Sequence, residues 1–319
     1  MPAARGAWDA ADVLPQVTQE TISWSRGLDI PLPRGGYYAS WYEGGLLIAG
    51  GTYWKDGKKL WTNSVSYYEP SRDRWVEWPP LPLTLAYGVM AQVSGKLYLI
   101  GGMVEDRLSL DMFRLDGRKW TRIGVAPAGS IYGAATVVGK KIYVLGGGDS
   151  NTDLTTATNQ TWTFDPTTSQ WEKLDAFPGK PRVVHAVVSI GNSIFLFGGA
   201  TQSKGEALTD LNDAYRFDTV TKKWTTLTPM LQACRAFGAA VAQGSIYLVG
   251  GGGQHSLDTV YRYRPERDEY RLVSHLPSPL LDSKFFFQNG SFYGATGEDK
   301  GGSRFPGLYI GRLSPSSLR

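Results

Sequence analysis

A short pattern of apolar residues followed by two glycines recurs along the whole chain. Five segments show it, and their final glycines lie at positions 51, 102, 147, 199 and 251; a degenerate sixth copy, SFYGATG, ends at Gly297. The intervals between these final glycines are 51, 45, 52, 52 and 46 residues. Self-similarity at a period of this length is typical of folds that repeat one supersecondary unit. The spacing therefore predicts six copies of one unit.

A second signal follows each of the five intact glycine pairs, namely two aromatic residues seven positions apart. The pairs are Tyr68 and Trp75, Phe113 and Trp120, Phe164 and Trp171, Phe217 and Trp224, and Tyr263 and Tyr270. Polar, turn-forming segments such as EPSRDR, DPTTSQ and RPERDE lie between the two aromatics. Strand-forming residues on both sides of such a turn are typical of β-hairpins. Each unit is thus predicted to include a hairpin with a polar tip.

The composition agrees with many short strands and excludes several classes of protein. The 319 residues include 39 glycines and 40 aromatics, which favours strands joined by turns. The net charge of +4 arises from Lys and Arg scattered among Asp and Glu, so we expect no nucleic-acid partner. The sequence has no run of 18 apolar residues, so we expect no membrane partner either.

Cysteine and histidine are scarce. Cys234 is the only cysteine, so no intrachain disulfide can form, and the three histidines are His185, His255 and His275. A tetrahedral zinc site needs several such ligands close together. We therefore expect no metal and no other cofactor. The first 17 residues lack the apolar core of a signal peptide, which predicts a cytoplasmic protein or the processed form of a periplasmic or secreted one.

Taken together, the glycine pairs and the spaced aromatics resemble the kelch repeat. Each kelch unit is one four-stranded blade of a β-propeller. The resemblance covers nearly the whole chain and implies an all-β fold, a six-bladed kelch β-propeller that forms a single domain over residues 1–319. Its blades are expected to start near residues 31, 82, 127, 178, 231 and 277.

The sixth unit is incomplete at its C-terminal end. After Gly297 the sequence contains one clear strand, GLYIGRL at 307–313, and no further tryptophan. The segment TISWSRGLDI at 21–30 has the character of a strand, and Trp24 stands where the missing tryptophan belongs. We therefore predict that residues 21–30 complete the last blade. Pairing the two ends of the chain in this way removes an open sheet edge.

The kelch resemblance also implies where a ligand binds. In a kelch blade, the loop after the glycine pair opens on the same face as the start of the first strand. Residues from these segments are predicted to line one pocket, and they are Arg34, Tyr37, Tyr87, Tyr132, Arg182, His185, Arg235, Lys284, Glu298 and Arg304. Such a mixture around a concave mouth suits a small polar anion. We expect the arginines at 34, 182, 235 and 304 to converge on that mouth.

Several of these residues also have a structural interpretation. Tyr87 and Tyr132 both lie 15 residues before the second glycine of their units, and repetition at one offset favours a structural role. His185, at the start of an inner strand, would serve equally well as a hydrogen-bond partner of the backbone. A carboxylate ligand and a water-filled channel would each explain arginines near the axis.

The segment GEDKGGSR, from Gly297 to Arg304, follows the degenerate glycine pair. It resembles the Gly-Glu-x-Lys/Arg-x-Gly-x-Arg loop of kelch-type sialic acid mutarotases, also called N-acetylneuraminate epimerases. The resemblance implies that Glu298 corresponds to the catalytic glutamate of that family and Arg304 to its partner arginine. Gly301 occupies a position where proline is often found. The loop lies in the last blade, which fits a cyclically permuted branch of the family.

Two functions of different classes follow. The resemblance implies a mutarotase that opens the ring of sialic acid, or of a related acidic sugar, by acid–base catalysis, which requires no metal or nucleotide. The alternative is a non-catalytic binding module for a protein or carbohydrate ligand, because kelch propellers often recognise protein segments and a fold alone does not decide function. A copper oxidase is disfavoured, since it needs more histidine ligands than these three scattered residues provide.

Overall fold

The computed structural model of the chain describes residues 21–253, 255–299 and 303–314. Its strands form six sheets of four or five strands each and one additional two-stranded sheet. The six larger sheets are the blades of a β-propeller, and the one helical element in the described ranges is the 3-10 turn Leu154–Thr156. Within the described residues the predicted all-β, six-bladed architecture is therefore confirmed.

The first strand, β1, comprises Ile22–Arg26. Blade one contains β2 (Tyr38–Tyr42), β3 (Gly45–Ala49), β6 (Val65–Glu69) and β7 (Arg74–Trp78), and a separate hairpin is formed by β4 (Thr52–Lys55) and β5 (Lys58–Trp61). Blade two contains β8 (Leu85–Ala86), β9 (Val89–Val93), β10 (Lys96–Val104), β11 (Arg107–Asp116) and β12 (Lys119–Val125). Blade three contains β13 (Ala134–Val138), β14 (Lys141–Leu145), β15 (Thr161–Asp165) and β16 (Gln170–Leu174).

The remaining blades follow the same order. Blade four contains β17 (Ala186–Ile190), β18 (Ser193–Thr201), β19 (Thr209–Asp218) and β20 (Lys223–Leu227). Blade five contains β21 (Gly238–Ala242), β22 (Ser245–Val249), β23 (Thr259–Arg264) and β24 (Glu269–His275). Blade six contains β25 (Phe285–Gln288), β26 (Ser291–Ala295), β27 (Leu308–Leu313) and β1. The inner strands of the blades, β2, β9, β13, β17, β21 and β25, surround a central cavity.

The N-terminal strand closes the last blade, as the sequence predicts. Strand β1 pairs antiparallel with β27, and Trp24 lies opposite Gly311. A Cβ atom at Gly311 would lie 2.5 Å from the indole, so glycine leaves room for the ring. The indole packs against Phe285 and Phe292, with ring centroids 5.9 and 6.2 Å away, and its Nε1 donates to Ser274 Oγ. The closure therefore consists of both a strand ladder and a packed aromatic side chain.

The spaced aromatics are cross-strand neighbours in four of the five outer hairpins. The pairs Tyr68–Trp75, Phe164–Trp171, Phe217–Trp224 and Tyr263–Tyr270 face each other directly across their ladders. In blade two the register differs, because Trp120 lies opposite Leu115. There the hairpin turns through Gly117 and Arg118 alone, which shifts the returning strand by two residues. Phe113 and Trp120 nevertheless belong to one core cluster, which lies between blades one and two.

The degenerate glycine pair of blade six keeps the backbone geometry of the intact pairs. Thr296 has φ of 56° and Gly297 has φ of 120°, close to the 60° and 101° of Gly50 and Gly51 in blade one. A left-handed conformation is costly for a β-branched residue such as threonine. The hydroxyl of Thr296 offsets part of this cost, since it accepts from the Arg34 N–H at 2.7 Å and donates to the Arg34 carbonyl at 2.8 Å. These bonds join blade six to blade one.

Candidate active site at the mouth of the propeller

Short β-bridges bring the loops that follow the glycine pairs onto the same face as the starts of the inner strands. In every blade, the residue after the glycine pair is bridged to a residue just before the inner strand. The pairs are Gly35–Thr52, Ala86–Met103, Ile131–Gly148, Val183–Ala200, Arg235–Gly252 and Leu281–Glu298. The two sets of segments that the sequence assigns to one mouth therefore do meet there.

A ring of hydrogen bonds surrounds the axis at this mouth. We call it the mouth ring; its members are Gly36, Tyr87, Tyr132, Val184, Ala236 and Asp282, and all six have φ between 48° and 69°. From blade two to blade six, each member donates its N–H to the carbonyl oxygen of the member before it, over 2.6 to 2.9 Å. The sixth link is different, because Gly36 N–H donates to the carboxylate Oδ2 of Asp282 at 2.5 Å. The last blade thus joins the first through a side chain.

The mouth ring stands at one end of a cavity of about 210 Å³ that follows the axis between the inner strands. Aromatic side chains form the wall on the side of blades two and three. The rings of Tyr87 and Tyr132 have centroids 4.9 Å apart, and Trp61 meets Tyr87 edge-on at 5.4 Å. Gly36 leaves space for this wall, since a Cβ atom there would lie 2.2 Å from Tyr87 Cε1.

Glu298 and Arg304 are brought together by the backbone of the blade-six loop. An antiparallel bridge joins the two residues, and the Arg304 guanidinium donates from Nη1 to Glu298 Oε1. Arg304 Nη2 also donates to Thr52 Oγ1 at 3.1 Å, and Thr52 Oγ1 lies 3.2 Å from the Tyr87 hydroxyl. The Glu298 side chain is 37% exposed, whereas that of Arg304 is 9% exposed. A ligand can therefore reach the carboxylate while the guanidinium is held behind it.

The packing of Arg304 depends on a residue without a side chain. A Cβ atom at Gly35 would lie 2.5 Å from Arg304 Nη1 and 3.1 Å from Asp282 Oδ2, so both charged groups lie over this glycine.

Burial, the neighbouring Tyr87 hydroxyl and the carboxylates of Asp282 and Glu298 raise the pKa of Tyr132 above its usual range. Tyr132 therefore remains protonated and can donate a hydrogen bond at the mouth. Lys300, Gly301 and Gly302 lie outside the described residues.

The expected convergence of four arginines on the mouth is wrong for Arg34 and Arg182. Both side chains are fully buried between strands. The Arg34 guanidinium donates to the carbonyls of Leu32, Gly50 and Ser64 and to Ser66 Oγ. That of Arg182 makes two bonds of 2.7 Å to the Asp213 carboxylate and one to the Gly198 carbonyl. Burial lowers the pKa of Arg34 to about 10. Both arginines satisfy backbone and carboxylate oxygens of the blade framework.

Arg235 and His185 are also engaged with the protein itself. Arg235 lies on the mouth face but forms an ion pair with Asp210, in the strand that follows the blade-four loop. His185 is 6% exposed, and its Nε2 lies 3.1 Å from the Leu145 carbonyl, so Nε2 carries the proton. A Cβ atom at Gly146 would lie 2.7 Å from the imidazole, which places the ring against the glycine pair of blade three. The structural interpretation of His185 fits this geometry better than ligand binding does.

Tyr37 and Lys284 lie together at the seam between blades six and one. The Tyr37 hydroxyl donates to the Ala295 carbonyl at 2.9 Å and accepts from the Lys284 N–H at 3.1 Å, so its hydrogen-bonding capacity is used within the protein. The Lys284 ammonium extends into the cavity and lies 4.5 Å from the centre of the Tyr37 ring. Burial lowers the pKa of this ammonium.

Two mouth residues were missed by the sequence reasoning, namely Asp282 and Thr52. Asp282 lies 15 residues before Gly297, the same offset that singled out Tyr87 and Tyr132. Thr52 directly follows the first glycine pair, as Glu298 follows the sixth. Extending each offset to all six repeats would have found both residues. The candidate site thus comprises Glu298, Arg304, Asp282 and Thr52 beside the two tyrosines of the mouth ring.

Comparisons with known proteins agree with the repeat architecture. The profile of the KLHDC2/KLHL20/DRC7 kelch-repeats domain matches residues 87–282. Beta-scruin of Limulus polyphemus is 29% identical over 228 residues, which cover 67% of this chain and 23% of that protein. Kelch-like protein 36 of Mus musculus is 25% identical over 232 residues, which cover 72% of this chain and 37% of that protein. The chain therefore spans less than half the length of these curated relatives.

A solved structure described as "Structure of YjhT" superimposes with a TM-score of 0.75 and 16% sequence identity. The superposition covers 90% of this chain and 99% of that one. At this sequence identity, the match supports the propeller fold and gives no information about the reaction or the ligand. In residues 21–253, 255–299 and 303–314, no helix has the length and apolar character needed to cross a bilayer.

Proposed function

The chain belongs to the kelch-repeat family, and on that premise we propose that it is a mutarotase that interconverts the anomers of sialic acid or of a related acidic sugar. The observation that carries the proposal is the Glu298–Arg304 pair. The loop backbone folds the two residues together at the mouth, with the carboxylate accessible and the guanidinium held over Gly35. The same two residues carry the resemblance of this loop to the kelch-type mutarotases.

The chemistry requires one group that can move a proton between two oxygens of the same carbon. The Glu298 carboxylate takes the proton of the anomeric hydroxyl, and the electron pair of that O–H bond forms the carbonyl. The bond from the anomeric carbon to the ring oxygen breaks, and its electron pair stays on the ring oxygen. Glu298 then returns the proton to that oxygen. Rotation of the open chain and closure on the other face, by the reverse steps, gives the second anomer.

Arg304 and the aromatic wall support this sequence of steps. A guanidinium beside the carboxylate stabilises negative charge as it develops on the ring oxygen. Thr52 fixes the guanidinium through its hydroxyl, so little reorganisation is needed at the moment of reaction. Tyr87 and Tyr132 offer an apolar surface with polar tips, which suits a sugar ring. A positioned general acid–base group typically contributes about 10²–10⁴-fold to a rate.

The test follows the anomers directly. Proton NMR of freshly released α-N-acetylneuraminate should show faster conversion to the β anomer with the protein than without it. Glu298→Gln preserves size and hydrogen bonding but cannot accept the proton, so it should lose about 10²–10⁴-fold of the acceleration while still binding the sugar. Arg304→Ala should weaken both binding and rate. Glu105→Gln, an exposed carboxylate on the loop after the blade-two glycine pair, is the matched control and should behave as the wild type.

Two results would contradict the proposal in different ways. If the wild-type protein accelerates anomer exchange of no sialic acid or related sugar, it is not a mutarotase. If it does accelerate exchange and Glu298→Gln is fully active, the catalytic residue is another one.

The second candidate function is a non-catalytic binding module for a protein or carbohydrate ligand. The similarity to beta-scruin and to kelch-like protein 36 favours it, because the matching regions make up only 23% and 37% of those longer proteins. A propeller fold serves catalysis and binding equally well. Failure of the wild-type protein to accelerate exchange, together with retained sugar binding, would support this second function.

A further inference from the structure

Lys284 stands out when the six blades are compared position by position. It lies two residues after Asp282, the mouth-ring member of blade six, and it lines the cavity. The equivalent residues in blades one to five are Tyr38, Val89, Ala134, Ala186 and Gly238. None of these five carries a charge, and each begins the inner strand of its blade. The blade fold therefore does not require a lysine at this position.

The ammonium group of Lys284 forms a long ion pair with Asp282 and makes no hydrogen bond to that carboxylate. The Lys284 side chain is 40% exposed, because it lines the water-accessible cavity. Asp282 Oδ1 lies 4.0 Å from Nζ, beyond hydrogen-bonding distance. The other oxygen of that carboxylate, Oδ2, accepts from the Gly36 N–H. An ammonium has three donors, and that of Lys284 also lies 4.5 Å from the centre of the Tyr37 ring.

The cavity around this ammonium is large enough for a ligand group and otherwise uncharged. Apart from Lys284 and Asp282, none of the described residues that form its walls is Asp, Glu, Lys or Arg. Its volume of about 210 Å³ is many times what a single water molecule needs. An anion that enters the cavity can form a charge-assisted hydrogen bond with this ammonium.

We infer that Lys284 binds the carboxylate group of a small ligand that enters the axial cavity through the mouth ring. The ligand's sugar identity rests on the proposed function; the carboxylate site does not. The ring residues Gly36, Val184 and Ala236 carry no aromatic side chain, so in this inference the carboxylate enters on their side while the rest of the ligand stays beside Tyr87 and Tyr132. The sequence predicted a cluster of arginines as the cations that recognise the acid. In this inference, Lys284 is the cation that does so.

Calorimetry with matched ligands and variants tests this inference. The ligands are N-acetylneuraminate, its uncharged methyl ester, and acetate. Loss of a charge-assisted contact should lower the affinity of Lys284→Met for the acid by about tenfold or more, with no comparable change for the ester. Lys284→Gln, which retains polarity, should show the same selective loss. Lys204→Met removes an exposed lysine on the blade-four loop of the same face and should leave both affinities unchanged.

The outcomes separate this inference from the proposed function. Unchanged affinity of the Lys284 variants for the acid, or an equal loss for acid and ester, would overturn the carboxylate site. A selective loss for the acid in a protein that shows no anomer exchange would retain the site and remove the mutarotase. Acetate binding as tight as that of the sugar acid, again lost with Lys284, would support a site for small carboxylates in general and contradict the sugar as its ligand.

Discussion

The buried histidine of blade four makes the stability of the propeller depend on pH. Burial, and then the nearby Arg182 charge, lower the pKa of His185 from 6.5 to about 3. Its Nε2–H donates to the Leu145 carbonyl, and its Nδ1 has no hydrogen-bond partner in the described residues. Protonation would place a second cation in this apolar gap between blades. The folded protein should therefore keep His185 neutral throughout the range in which the unfolded chain takes up a proton.

The size of the effect follows from linkage between protonation and folding. Because the folded-state pKa lies below the unfolded one, the unfolded state binds more protons between them, and stability falls as pH falls through that window. The contribution of His185 is complete above pH of about 6.5 and decreases toward about 3. Between pH 7 and pH 5 these two values correspond to a loss of about 2 kcal/mol in the free energy of unfolding.

Urea unfolding at pH 7 and pH 5, followed by tryptophan fluorescence, measures this loss. His185→Gln places an amide N–H near the position of Nε2 but cannot titrate, so its pH dependence should be about 2 kcal/mol smaller than that of the wild type. His255→Gln, an exposed histidine of the blade-five loop, should keep the wild-type dependence. Equal pH dependence of wild type and His185→Gln would refute the reasoning and return His185 to the list of candidate ligand-binding groups.

Two further predictions concern packing at the seam. Trp24→Ala should lower the free energy of unfolding by about 2–3 kcal/mol in the same urea titration. The loss is smaller than for a fully buried tryptophan because part of the indole is exposed. Ser23→Ala, at an exposed position next to it, should have little effect. Gly36→Ala should cost about 1–3 kcal/mol and slow anomer exchange, because its Cβ atom would displace Tyr87. Gly57→Ala shares the left-handed φ but meets no atom within 4 Å, so it should cost less and leave exchange unchanged.

The blade count and the closure could be predicted because they depend on the backbone. A glycine pair marks a strand end with left-handed residues, and its spacing counts the blades. Trp24 could be assigned to the last blade because the pattern of that blade lacked one strand and one aromatic. The register of the blade-two hairpin could not be predicted in the same way. Its turn residues, Gly117 and Arg118, allow a tighter turn than the four-residue tips of its neighbours.

The arginine predictions failed because a side chain's direction depends on its offset from the mouth ring. Arg34 and Arg182 lie two residues before their ring members, and there the side chain turns back to the carbonyl of the first glycine in the pair. Cys234, at the same offset in blade five, also directs its thiol to such a carbonyl, that of Gly250. In blades one, four and five, the side chain at this offset therefore serves the glycine pair of its own blade. The sequence shows the offset but not the carbonyl that the donor meets.

The six blades act as internal controls for one another, and blade six departs from the others at four positions. It has a carboxylate in the mouth ring at Asp282, an ammonium in the cavity wall at Lys284, a threonine in the glycine pair at Thr296 and a carboxylate after that pair at Glu298. The equivalent positions of the other five blades hold no charged residue. Five blades form their four strands without these groups, so the strands of a blade do not need them, and local conflicts with a repeated pattern are expected at functional sites.

These departures lie at the seam where a side chain closes the mouth ring. Between the other blades, the links of the ring are backbone N–H groups that donate to backbone carbonyls. Between blades six and one, a backbone bond from the Gly297 N–H to the Arg34 carbonyl is kept, and side chains add to it. Asp282 accepts from the Gly36 N–H, and Thr296 bridges both backbone groups of Arg34. A seam closed by side chains can hold charged groups beside the axis, because the hydrogen bonds that join the blades also satisfy part of each polar group. The position that closes the ring is therefore the one best suited to carry its chemistry.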